Sequence, residues 1–218
     1  MVFDRNEKKQ VVALLGAGSM GTAIVRRIAA GKKILPEHIV ALDMVGTGYA
    51  VDAFGEVMAK GGAGLFISSQ AAYMYPIPNE DELQIVNAAT EQLADLPIVK
   101  NVAMQNSGFA YMIAKRVNHL QAQRAAATTW RERRARINTI SPGIIVTPLA
   151  YDEFNANGDG YQAMIDASAA RRVATSDEIA DAAAFLLGEH ATFINGTDLL
   201  IDGGVIPSIR TGMFKLQG

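Results

Sequence analysis

The chain has 218 residues, half of them apolar and 19% charged, which suits one globular domain with a sizeable core and excludes a disordered or collagen-like polymer. Twenty Lys and Arg against 22 Asp and Glu leave a formal charge of −2, so no overall field draws the protein to nucleic acid or an anionic membrane, and the expected partners are small molecules and further copies of itself. With no cysteine there are no disulfides, thiolate nucleophiles or cysteine metal sites, which suits a cytoplasmic location, and no apolar run approaches the ~18 residues of a membrane helix.

Lys8 and Lys9 precede the apolar run Val11 to Leu15, which is too short for a signal peptide and reads as a buried strand of a parallel sheet. Gly16-Ala17-Gly18-Ser19-Met20-Gly21 follows and opens a helical stretch ending near Gly31. In a strand-turn-helix setting such glycines permit a tight turn and let a pyrophosphate reach the helix N-terminal N–H groups; the same pattern also serves a turn that binds nothing. Lys33 to Leu35 starts a second strand, but Pro36 follows at once, and a long apolar helix spans about His38 to Ala59. Gly64 to Ser69 is a strand whose end carries Ser68 and Ser69, at the edge where open α/β sheets bind ligands; the reading as plain polar loop stays open. A helix near Glu80 to Leu93 is followed by one from Tyr111 to about Arg131 and by a strand from Arg136 to Ser141 that breaks at Pro142-Gly143. Pro148 to Ala170 reads as a loop and helix able to close over a substrate. Thr175 and Glu178 form a capping box for a helix through Leu187, ended by Gly188, and Asp198 to Ile201 is a last strand before Asp202-Gly203-Gly204.

Tyr111 and Lys115 stand at i and i+4, so their side chains leave one helix face and can converge on one ligand. A free tyrosine ionises near pH ~10, and an ammunium neighbour of the lysine type favours the phenolate, which suits proton exchange with a substrate oxygen. The alternative is a core tyrosine beside a lysine that reaches solvent. Ser69 lacks the GxSxG setting of a hydrolase nucleophile, and His38, His119 and His190 show neither a base pattern nor metal-ligand spacing, so no metal site is expected.

Taken together, Gly16 to Gly21 after a strand, Ile67-Ser68-Ser69, Tyr111-Met112-Ile113-Ala114-Lys115, Arg136 through Pro148 and Asp202-Gly203-Gly204 resemble, in order, the short-chain dehydrogenase/reductase family. The resemblance implies an α/β fold: a single-domain, Rossmann-like, doubly wound parallel sheet. It implies an oxidoreductase that interconverts a secondary alcohol and a carbonyl compound by hydride transfer with NAD or NADP. Tyr111 would be the general acid/base, Lys115 would lower its pKa and hold the nicotinamide ribose, and Ser69 would orient the substrate oxygen. Gly16, Gly18, Ser19, Met20 and Gly21 would bind phosphate, while Pro142, Gly143, Ile145 and Thr147 would line the nicotinamide end. Asp43, in Asp43-Met44-Val45-Gly46, stands where the family carries a catalytic Asn. Ser69 and Tyr111 lie 42 positions apart, an insertion found in the family subset resembling bacterial 3α-hydroxysteroid dehydrogenase/carbonyl reductase. A homodimer or homotetramer is implied, formed through the 38–59 helix and the Tyr111 helix. Asp43 and the abrupt Leu35-Pro36 junction favour a rival, a catalytically inactive dinucleotide-binding sensor or scaffold. At that junction two strand-helix units, roughly 60 residues, are missing from a doubly wound sheet, either omitted from the sequence or deleted from the protein.

Overall fold

The computed structural model describes residues 12–15 and 36–215. Gly16, Gly18, Ser19, Met20 and Gly21, and the expected strand at Lys33 to Leu35, lie outside the described residues. Four parallel strands form one sheet in the order β1 (Val12–Leu15), β2 (Ala63–Ile67), β3 (Arg136–Pro142) and β4 (Asp198–Ile201). Its register pairs Val12 with Ala63, Ala63 with Arg136, and Thr139 with Asp198. β2 and β3 are buried along nearly their whole length, as strands covered on both faces must be.

Successive side chains on these strands enter different cores, because a strand alternates faces with period two. Phe66 and Ile137 pack with Val51, Met58, Ala122, Ala125 and the fully buried Trp130 on one face. Leu65 and Ile140 face Leu186 and the partly buried Ile179 of the helix α8 (Ser176–Leu187) on the other. The doubly wound arrangement thus holds across the described sheet. α8 starts with the expected capping box, in which Thr175 Oγ1 accepts from Glu178 N–H and Glu178 accepts from Thr175 N–H. The Arg136 guanidinium donates to the carbonyls of Leu186 and Gly188 at the helix's far end, where cations suit the dipole.

The long apolar segment is helical but not uniform. α1 (Pro36–Ile39) runs into a π-helical turn at Val40–Val45 and then α2 (Gly46–Val57). An apolar helix of this kind is expected either to be wholly buried or to lie in an interface, and within one chain its burial is only partial. Ile39, Val40, Met44 and Val51 are buried, whereas Tyr49 and Val57 are 52% and 72% exposed. The inserted stretch folds as α3 (Asn79–Asn87), a 3-10 turn (Thr90–Asp95) and α4 (Pro97–Asn101), so the expected helix at Glu80 to Leu93 is split. Ile85, Leu93, Val99 and Ala103 build a second core with Met44 and with Ile113, Val117 and Leu120 of α5 (Ser107–Ala127). α5 begins four residues before Tyr111, because Asn106 Oδ1 accepts from Phe109 N–H and caps it there; a short α6 (Thr129–Glu132) follows. Pro148–Ala167 is a single helix, α7, so the loop expected within Pro148 to Ala170 is helical, and α9 (Val205–Arg210) ends the described fold.

Candidate active site

The site is built where α5 passes the carboxyl ends of β2 and β3. The i, i+4 spacing on α5 brings Lys115 Nζ to 5.3 Å from the centroid of the Tyr111 ring. The two residues differ sharply in burial, Tyr111 being 37% exposed and Lys115 5%. A buried ammonium needs a partner, and Asp43 Oδ1 lies 3.0 Å from Nζ. Asp43 reaches it from the π turn, a distortion that recurs at functional sites. Burial, the largest influence, works against the charge on Lys115, but Tyr111 and Asp43 outweigh it and hold the amine above its usual value. It stays an ammonium.

The two serines at the end of β2 divide their roles. Ser68 is buried, and its hydroxyl donates to the Lys115 carbonyl at 2.9 Å, tying the strand to the helix. Ser69 is partly exposed and its Oγ accepts from Ala71 N–H at 3.2 Å, capping a 3-10 turn over Gln70–Tyr73. Because that bond uses a lone pair, the Ser69 O–H remains a donor. Among the described residues no hydrogen bond joins Ser69 to Tyr111.

Pro142 ends β3, and Gly143 N–H donates to Ile201 O at 2.8 Å. A β-carbon on Gly143 would stand 2.6 Å from Asp202 Cα, so only glycine lets these two strand ends close up. Ile145 bridges to Ala174, and the backbone bonds Ala174 N to Ile144 O and Val146 N to Ala174 O fix the segment leading to Thr147. Asp202 accepts from the N–H groups of Gly204 and Ile206 and starts α9. Gln70, the first residue of the serine turn, is buried, and its Oε1 has no hydrogen-bond partner among the described residues.

Sequence reasoning missed a polar cluster behind this site. Asp198 accepts from Thr139 Oγ1 at 2.5 Å, Ser141 Oγ at 2.9 Å and Tyr73 Oη at 2.6 Å, and lies 3.2 Å from His119 Nε2. Burial favours the neutral acid, yet the bond and charge of His119 and the hydroxyls of Thr139 and Tyr73 hold its carboxyl below the usual value. Burial and Asp198 together push the Tyr73 phenol well above a free tyrosine. The spacing of Tyr111, Lys115 and His119, each four residues apart on α5, was the available signal. Ser141, His119 and Asp198 are not a hydrolytic triad. Both partners meet the same imidazole nitrogen, whereas a triad uses opposite ones, and Ser141 and His119 are sealed from solvent. Among the described residues no cluster of three or more His, Asp or Glu could hold a metal, and no helix is long and apolar enough to cross a membrane.

Comparison with known proteins bears on this arrangement. Residues 97–206 match the family model described as enoyl-(acyl carrier protein) reductase. The short-chain dehydrogenase/reductase bsc3 of Alternaria brassicicola is 35% identical over 173 residues, covering 78% of this chain, and this chain spans only 62% of that relative's length. The 3-alpha-hydroxysteroid dehydrogenase/carbonyl reductase of Comamonas testosteroni is 27% identical over 94% of this chain and 79% of its own. Among solved structures, the 3-alpha-hydroxysteroid dehydrogenase from Pseudomonas sp. B-0831 complexed with NADH superposes with a TM-score of 0.62 at 25% identity, covering 84% of this chain and 71% of that one. With a matched family model over half its length and a parallel sheet with helices on both faces, the chain belongs to the short-chain dehydrogenase/reductase family.

Proposed function

We propose that the protein is an NAD(P)-dependent oxidoreductase interconverting a secondary alcohol and a ketone or aldehyde, with Tyr111 as general acid/base. The observation that carries this reading is the pairing of a solvent-reaching phenol with a buried, partnered ammonium at the end of the sheet. The residues present fit a nicotinamide on one count, since Gln70 Oε1, beside Gly143, is a buried acceptor with no donor among the described residues, and the amide of a bound ligand would supply one. A bound reduced nicotinamide supplies the hydride. In carbonyl reduction, Tyr111 Oη would give its proton to the carbonyl oxygen of the substrate, and the Lys115 ammonium would stabilise the phenolate that remains. The Ser69 hydroxyl donates to the same oxygen and orients it. Asp43 keeps the ammonium in place beneath the tyrosine, in the position where the family carries Asn. Pro142, Gly143, Ile145 and Thr147 would face the nicotinamide end. Exposed Tyr49 and Val57 on α2 offer apolar surface for a second copy of the chain.

NADH and NADPH consumption measured against a panel of aliphatic and aromatic ketones tests the reading. Turnover by the wild type that falls about 100-fold or more in Tyr111→Phe is expected. Cofactor binding without turnover across the panel would favour a dinucleotide-binding sensor, a reading that the capture of Lys115 by Asp43 also suits.

A further inference from the structure

We propose that Asp198 is a positioning residue for this reaction, a single buried carboxylate that fastens the serine turn, the Tyr111 and Lys115 helix and the strand leading to Pro142 in one register. The inference rests on the oxidoreductase reading. Asp198 opens β4, and its side chain is 7% exposed. Its donors come from separate segments. Tyr73 ends the 3-10 turn that Ser69 begins, so the hydroxyl of one and the Oγ of the other pin the two ends of a four-residue turn. His119 lies one turn beyond Lys115 on α5, with its ring 5.4 Å from that of Tyr73. Thr139 and Ser141 sit on β3 just before Pro142. Arg210 of α9 covers the outer side of the Tyr73 ring at 5.4 Å, and Arg116, held by Glu82, approaches His119 Nδ1 at 3.4 Å.

Burying a carboxylate is a poor way to gain stability, because well-packed apolar side chains often do as well in place of a buried charged network. What such a network provides is direction: each donor must point at one of two oxygens, so the segments bearing them cannot slide independently. A catalytic hydroxyl displaced by ~1 Å loses roughly 100-fold in rate, so small slips of the serine turn matter to chemistry more than to folding.

Tyr73→Phe removes one hydroxyl from the hub while keeping the ring. Ketone reduction by the full chain should show a fall in kcat of about ten-fold, with KM for NAD(P)H unchanged within about two-fold. Hydrogen exchange at residues 70–74 should speed up. Ile85→Val, which trims the core between α3 and α5 without touching any bond to Asp198, should lower Tm and leave kcat intact. Asp198→Asn should lose more activity than Tyr73→Phe, and Tyr73→Phe alone carries the test where the asparagine variant does not fold. Wild-type turnover with unchanged kcat in Tyr73→Phe, or an equal fall in Ile85→Val, overturns this inference alone. A wild type without turnover overturns the oxidoreductase reading and this inference with it.

Discussion

Lys115 and Asp43 meet at 3.0 Å with side chains 7% and 18% exposed, so the ammonium above all depends on its partner rather than on water. Asp43→Ala would leave the ammonium buried and alone, and chemical denaturation should register a loss of about 3 kcal/mol. Asp43→Asn, which keeps an acceptor oxygen for Nζ, should lose less. Asp198 makes a second prediction through its acidity. Its carboxyl is held below the usual value in the folded protein, so the unfolded chain binds that proton more readily. The stabilisation is therefore present above about pH 4 and is lost as pH falls through the lower folded value. Asp198→Asn should flatten the acid limb of the stability profile in that window, and an unchanged limb would contradict the assignment. Legibility at this scale followed sequence distance. Tyr111 and Lys115 could be read because one helical turn joins them, whereas Asp198 and its partners Tyr73, His119 and Thr139 meet only through the sheet.

Short-range chemistry made some elements readable to the residue. β4 and α8 have the expected bounds because a capping box and flanking glycines act within a few positions. Thr175→Ala should cost about 1 kcal/mol, read as a lower Tm. Glu178, whose carboxyl is pulled down to about 2 chiefly by its hydrogen bond with Arg172, should remain charged across the working pH range. The π turn was not legible. A segment apolar on every face carries no phase, so the pattern could not reveal where an extra residue enters a turn. Its effect is local: deleting one residue from Val40–Val45 would let the turn relax to an α-helix with the flanking helices nearly in phase, and would shift Asp43 off Lys115. At β2, Gly64 lies under the Trp130 ring so closely that a β-carbon would overlap it. Gly64→Ala should cost about 1 to 3 kcal/mol through overpacking, measured by denaturant titration.

At the scale of the whole molecule, alternation of strands and helices revealed an α/β fold, and the family resemblance implied the doubly wound sheet, in which parallel strands have helices on both faces. The described sheet passes directly from β1 to the serine strand β2, with Leu35 and Pro36 adjacent in the chain between them. The chain also spans 62% of the Alternaria relative's length. Protein made from its own gene should therefore have an intact mass several kilodaltons above 23.3 kDa, and a species at 23.3 kDa would mean a true internal deletion. The inserted stretch between Tyr73 and α5 was foreseen as a helix beside the site. That it would build a core of its own was not, because that core needs Met44 and Leu120 from distant segments.

Trp130, the only tryptophan in the sequence, is fully buried against β2, and its Nε1 donates to Val51 O at 3.0 Å. The molecule therefore carries a built-in optical reporter. Its emission should be blue-shifted in the native state and move to the red in one step if α2, α5 and β2 separate together. Quenching by energy transfer to a reduced nicotinamide would report occupancy without any label, and would do so in variants too slow to assay by turnover.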